Sequence, residues 1–407
     1  MHVRKNLREY FLVTLRVNLS FLLVLCVSLV EVFLNIGRMI HGDSYQYLSF
    51  ARFLLGKGGY IPPLVVTRPM VPFLASALTL VFHNIYLSFG LISGFFWISG
   101  TIIAYKIGQL VLEEKNLATA VALSYTIAPV LLLTGAAVLT DSAGFFFIGL
   151  TIYLTLKRER TRVVSSKTYF LDAFICSVGI LFRESVLLAL LFMFSRRLIK
   201  RKGFLEFLLA ALLVGATGLL YLHLLGFDIS IFAYKYNTAQ RTAPPGRWGF
   251  VAYATSFAIA YVTCVPAPKP YFMSINFWVW TVPTIIYVAF TLLGFIFSKR
   301  KKDLLPIMLF LFPSSLIWPE MSCRFFFLMW PAVIPAMING MNTVLSRLLF
   351  SDKWAQYRSF ILSLYIIVFA IVNTISILAI HSSLTIAHAR APYWYSMAFS
   401  PRLSNKL

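Results

Sequence analysis

Apolar stretches long enough to be helices recur along the whole chain, separated by short connections, many of them basic, and by a few long mixed ones. Segments that are hydrophobic all round need either a protein interior or lipid around them. A soluble globule cannot bury so many. With 59% hydrophobic and 12% charged residues among 407, and a mean hydropathy of +0.81, too little polar surface remains to coat a soluble domain. The short alternating segments of an outer-membrane barrel do not occur. The expected fold is therefore all-α, a polytopic membrane protein whose spans satisfy their own backbone hydrogen bonds.

Eleven hydrophobic helices are read at about 11–34, 84–111, 117–139, 142–156, 168–182, 185–195, 204–225, 276–298, 304–319, 324–346 and 358–381. Placing the N-terminus in the cytoplasm gathers 22 of the 36 lysines and arginines on the inner side, in the N-terminal segment and the short inner connections, as the positive-inside rule requires. The net charge of +22 then reports on membrane orientation, and nucleic acid is not an expected partner. Residues 168–195 test this parity. Read as one span, they would put either the 157–162 or the 196–202 basic run outside, so a hairpin turning at Arg183-Glu184-Ser185 is expected. Arms of about 11 to 15 residues at about 1.5 Å each fall short of a membrane core of about 30 Å, which puts the turn below the outer surface in a polar cavity.

Residues 1–381 read as a single transmembrane domain, with 382–407 an outer C-terminal tail. The first apolar segment carries Arg16 and Glu31 and no small-residue cleavage site follows it, so a retained anchor is expected. Cys26 and Cys176 lie in spans, and Cys264 and Cys323 fall near the outer face; free thiols are expected, and no metal-type Cys/His spacing occurs. All long connections, 35–83, 226–275 and 382–407, fall outside, where long loops can cover a site. In the first, residues 43–55 read as a short amphipathic helix with Tyr47, Phe50, Ala51 and Leu54 on one side. Pro69 opens a second apolar piece, 70–82, too short to span and suited to the interface.

Asp43 fits two roles. Asp43 and Gln46 have capping-box spacing, and Asp141 can likewise cap the helix that follows it. Yet both belong to a set of only five outer-face acids, with Glu184, Asp228 and Glu320, and ionisable groups at membrane depth are functional candidates by default. Outer cations give the complement. Arg68, Arg247, Arg324 and their neighbours suit a phosphate headgroup, with snorkelling the bland alternative for each. Tyr45 and Tyr47 can stack on a sugar or belong to an interfacial aromatic belt, and Arg183-Glu184 can be a local ion pair.

The order of these features resembles the GT-C superfamily of integral-membrane glycosyltransferases, particularly the users of polyprenyl-phosphate sugars such as protein O-mannosyltransferases and aminoarabinose transferases. An anchor helix leads to Gly42-Asp43-Ser44-Tyr45-Gln46-Tyr47, then Arg68-Pro69-Met70, Leu139-Thr140-Asp141-Ser142 and Arg324-Phe325 with Pro331 beyond. The likeness covers residues 11 to about 346 as an architecture and rests on the order of short motifs. It implies that Asp43 is the catalytic carboxylate, a general base toward the acceptor hydroxyl, and that Asp141 shapes the sugar and acceptor site. It also implies that Arg68 and Arg324 grip the lipid phosphate. No large soluble domain and no Asp-x-Asp or Glu-x-Asp pair follows, so a transferase without a metal cofactor is expected over a metal-dependent oligosaccharyltransferase.

The implied partners are a polyprenyl-phosphate sugar donor, a lipid, glycan or protein acceptor, and membrane lipids, in a prokaryotic plasma membrane. Glu184, Tyr45 and Tyr47 are the candidate sugar or acceptor contacts, and Arg68, Arg324 and Arg247 the phosphate contacts. A flippase for lipid-linked sugars is the alternative, but it would show pseudo-repeated halves, and none is seen. A purely structural subunit gives no reason for Asp43 and Asp141 to face outward.

Overall fold

Runs of apolar, helix-forming residues bounded by Gly, Pro and basic clusters form helices throughout the described chain. The computed structural model describes residues 19–37, 43–63, 65–128, 131, 135–161, 164–228, 230–231, 276–313, 327–348 and 364. In order these give α1 (Leu19–Asn35), α2 (Asp43–Leu54), α3 (Met70–Phe82), α4 (Ile85–Leu112), α5 (Lys115–Thr126) and α6 (Asp141–Arg160). There follow α7 (Ser166–Phe182), α8 (Val186–Lys200), α9 (Phe204–Leu224), α10 (Asn276–Phe297), α11 (Lys301–Leu311), a 3-10 turn at Phe327–Met329 and α12 (Trp330–Leu348). No strand occurs among the described residues. Ile85–Leu112, Phe204–Leu224 and Phe327–Arg347 are each long and apolar enough to cross a membrane.

The 28 residues of α4 form the axis, with α1, α3, α5, α6 and α12 packed on it. Its small residues allow this. A Cβ on Gly100 would overlap the Tyr125 ring, and one on Gly108 would press on Ala118, so larger side chains would hold α5 away. Buried Trp97 donates from Nε1 to the Thr126 carbonyl at 3.2 Å, tying α4 to the end of α5. The α10–α12 contact is closer still: Gly294 and Gly340 face each other, and a side chain on either would collide with the opposing backbone.

The expected helix over 117–139 is corrected. Helix α5 stops at Thr126, and residues 135–140 are turns and bends rather than helix. Pro129 stands two residues beyond the Ile127 cap, where proline commonly follows a helix it cannot continue. The non-helical backbone at Ala136 to Thr140 is wholly buried. Its polar groups are met from neighbouring elements: Gly37 N–H donates to the Ala136 carbonyl at 3.0 Å, and Ser93 Oγ to the Leu139 carbonyl at 3.1 Å. Irregular backbone is tolerated in a membrane domain where protein surrounds it in this way.

Helix α3 has the expected bounds, 13 residues or about 20 Å. It folds back on α4 through the two residues His83 and Asn84, and Thr79 Oγ1 donates to Ser88 Oγ at 3.1 Å across the turn. Helix α2 buries Tyr47, Leu48, Phe50 and Ala51 as one face, whereas Leu54, expected on that face, is exposed. The hairpin between α7 and α8 turns at Arg183-Glu184-Ser185, as expected, with arms of 17 and 15 residues.

The two ends of the bundle differ in chemistry. Arg160 at the end of α6 bonds the Leu110 carbonyl at 2.6 Å and reaches Asp303 at 3.4 Å. Arg196 Nε donates to Glu159 at 2.6 Å, and Arg300 pairs with Glu113. The connections after α4, α6, α8 and α10 thus share one end, where basic residues at the ends of α6, α8 and α10 are laced to Glu113, Glu159 and Asp303. Since α6 and α8 run away from that end's opposite and α7 runs back toward it, Thr140-Asp141 and Arg183-Glu184 lie together at the other end.

Candidate functional site

Three stretches far apart in sequence meet at that other end. The first is the loop between α2 and α3, the second the irregular entry to α6, the third the α7–α8 turn. Arg183 leaves α7 with extended backbone, φ −161° and ψ 128°, and its N–H still caps Gly179 at 2.9 Å. Beneath the turn, Phe182 packs on Phe96 and Phe147 with ring centroids at 5.0 and 4.9 Å. Those aromatic contacts seat the turn against α4 and α6.

Arg183 Nη1 lies 2.6 Å from Asp141 Oδ1, with 3% and 1% of the two side chains exposed. Asp141 is the first residue of α6, where the positive end of the helix dipole favours a carboxylate. The helix cap is Thr140, and no side-chain capping bond forms there, so Asp141 acts as an ionic anchor instead of a cap. One turn into α6 stands Gly144, where a Cβ would overlap the Arg183 side chain. Without a side chain there, the guanidinium can lie along the helix and reach Asp141.

Glu184, the next residue, pairs elsewhere. Arg68 Nε donates to its Oε2 at 2.6 Å, and Thr67 Oγ1 donates to its Oε1. The expectation of a local Arg183-Glu184 pair is replaced by two separate pairs, one at each neighbouring residue. Arg68 Nη1 donates to the Tyr47 hydroxyl at 2.9 Å, and that hydroxyl lies 3.1 Å from Thr140 Oγ1. Because a guanidinium only donates, the phenol oxygen accepts from Arg68 and can give its own proton to Thr140. Burial works against the Arg68 charge, but Glu184 and then Tyr47 outweigh it and hold its pKa above the ordinary arginine value.

Around this network sit buried polar atoms with no hydrogen-bond partner among the described residues: Gln46 Oε1, Ser142 Oγ and Ser185 Oγ. Each is the sequence neighbour of a network residue. Polar atoms so placed are available to ordered water or to a ligand. Among the described residues, Gln46 Oε1 makes no capping-box bond to the start of α2.

Of the expected site residues, Tyr47, Arg68, Asp141 and Glu184 come together. Tyr45 stands apart on the exposed side of α2, at 60% exposure. The Asp43 backbone opens α2, while its side chain, Arg247, Arg324, Glu320, Cys264, Cys323, the second outer connection beyond residue 231, the 358–381 helix apart from residue 364, and the 382–407 tail lie outside the described residues. Sequence reasoning missed Thr67, Thr140 and Gly144. Position was the available signal, Thr67 and Thr140 each preceding a singled-out charged residue and Gly144 lying three residues after Asp141.

The described residues form an all-helical fold with helices long and apolar enough to cross a membrane and an ionic network at one end. Compared with known proteins, the chain matches no family model and no curated protein.

Proposed function

We propose that this protein is a membrane-embedded glycosyltransferase with about eleven hydrophobic helices, moving a sugar from a polyprenyl-phosphate donor to a lipid, glycan or protein acceptor on the non-cytoplasmic face. The observation that carries the reading is the convergence of Tyr47, Arg68, Asp141, Arg183 and Glu184 at the end of the bundle opposite the basic connections. Two carboxylates and two arginines, one pair buried and the other part-buried, are expensive at membrane depth unless they serve chemistry.

The proposed reaction asks for little else. The acceptor oxygen attacks the anomeric carbon, the bond from that carbon to the phosphate oxygen breaks, and its electron pair leaves with the phosphate. Asp43 takes the acceptor proton as the bond forms, which gives inversion in one step. Arg68, joined by Arg324 and Arg247, neutralises the departing phosphate. Asp141 holds Arg183 and so sets the height and direction of the α7–α8 turn.

The test is release of labelled sugar from a panel of polyprenyl-monophosphate sugars by purified protein, wild type against Asp43→Asn, with and without EDTA. Transfer or slow hydrolysis that survives EDTA and disappears in the variant is the expected result. If neither protein turns over any carrier while both bind donor lipid equally, the transferase reading fails and flipping of the same lipid becomes the better account.

A further inference from the structure

We propose that Thr67, Arg68 and Tyr47 form an oxyanion cradle for the phosphate of a polyprenyl lipid, and that Glu184 is the cradle's resident ligand, exchanged for phosphate once in each turnover. The inference rests on the lipid-phosphate reading above and adds how that phosphate is admitted and expelled.

The geometry supplies the cradle. Each oxygen of the Glu184 carboxylate has its own donor, Oε1 taking the Thr67 hydroxyl and Oε2 taking Arg68 Nε at 2.6 Å. A second arm of the same guanidinium is held by Tyr47 at 2.9 Å, and Tyr47 is held in turn through Thr140. A phosphate can present two of its oxygens to such a pair of donors, one arginine N–H and one hydroxyl, as the carboxylate does here. Oε1 and Oε2 of Glu184 therefore stand where two phosphate oxygens would be received.

The turn is built so that Glu184 can leave while its backbone stays. Arg183 is extended, and successive side chains of extended backbone point opposite ways. One neighbour thus drives into the protein toward Asp141, at 3% and 1% exposure, and the other toward Arg68, at 12% and 24%. Both pairs are withdrawn from solvent, Arg183–Asp141 the more completely, and the fuller the burial of a pair the more separation of its members costs. The Arg183 anchor keeps the turn in place, and the Glu184 latch is the part that opens.

Exchange has a consequence for turnover. The donor's phosphate is a diester with one negative charge, whereas the polyprenyl phosphate left behind is a monoester whose second ionisation falls near neutral pH. The more highly charged product binds the cradle more tightly than the donor does. Return of Glu184 to Thr67 and Arg68 drives it off.

The experiment measures binding of a polyprenyl monophosphate to the full-length protein in nanodiscs of neutral lipid, for wild type, Glu184→Gln and Glu184→Ala, with thermal midpoints to establish folding. About tenfold tighter binding in either folded variant is expected, together with a burst of one turnover followed by slowed steady-state transfer. Unchanged or weaker binding in both folded variants, with wild type binding normally, overturns the exchange and leaves the lipid-phosphate reading standing. Absence of saturable binding in all three proteins removes the lipid-phosphate reading, and the exchange with it. Arg68→Gln is expected to abolish binding in every background, and retention of binding there counts against the cradle.

Discussion

Arg183 Nη1 and Asp141 Oδ1 meet at 2.6 Å between the α7–α8 turn and the first residue of α6, with both side chains almost wholly withdrawn from solvent. Such a pair adds little net stability compared with apolar residues of the same shape, but removing one member strands a charge. Asp141→Asn is therefore expected to destabilise the protein by about 3–5 kcal/mol, and the double change Asp141→Leu with Arg183→Met to recover most of that while abolishing function. Unfolding in mixed micelles reads the stabilities. A loss below about 1 kcal/mol in the single variant would contradict the anchoring role.

Gly144 gives an independent view of the same anchor. A methyl group there overlaps the Arg183 side chain, so Gly144→Ala is expected to destabilise by about 1–3 kcal/mol despite alanine's better helix propensity. Gly215 in α9 is the control, since a Cβ there meets nothing within 4 Å; Gly215→Ala is expected to gain about 0.5–1 kcal/mol. The same unfolding measurement on both variants decides it. Equal effects at the two sites would mean that the space beside Arg183 is not needed.

Sequence patterns carried the architecture where one physical rule dominated. The turn at Arg183-Glu184-Ser185 followed from the placing of basic loops, and α3 from its length and the proline before it. The break after Thr126 was hidden because an apolar run reads alike whether it is helix or buried irregular backbone; only Pro129 and Gly135 betrayed it. At the site, the scarcity of ionisable groups pointed to Arg68, Asp141 and Glu184, but the pairing was not legible. Arg183 and Glu184 are neighbours in sequence, and their separate partners depend on how α6 and the first loop pack around the turn. Tyr45 and Tyr47 were equivalent as aromatics. Two residues is about 200° of helix, so only one of them could face the core.

The charged end predicts an acid response of its own. Glu113 is held below the usual carboxylate range, chiefly by hydrogen bonds from Arg300 and then by its charge. A folded pKa below the unfolded value contributes stability that is fully present above the unfolded pKa and is lost as pH falls through the folded one. Arg300→Gln is thus expected to flatten the acid limb of a thermal-midpoint profile and leave the neutral region almost unchanged, because the pair is exposed. An acid limb identical in both proteins would show that this contact contributes nothing.

Tyr47 tests whether the network orients Arg68 for binding. Its hydroxyl accepts from Arg68 at 2.9 Å and faces Thr140 at 3.1 Å, while its ring is packed at 1% exposure in the core of α2. Tyr47→Phe removes the oxygen and keeps the ring, so folding is expected to survive. Arg68 then loses one fixed partner and must be reoriented by substrate on each encounter. A lost bond to a charged group of about 1.5–3 kcal/mol corresponds to roughly a 10- to 150-fold fall in kcat/KM. If the role is to position a phosphate ligand, most of that fall is expected as a higher KM for the donor, with kcat changed less. A fall in kcat alone would place Tyr47 with the reacting atoms instead, and no change in either would show that Glu184 and Thr67 suffice to hold Arg68.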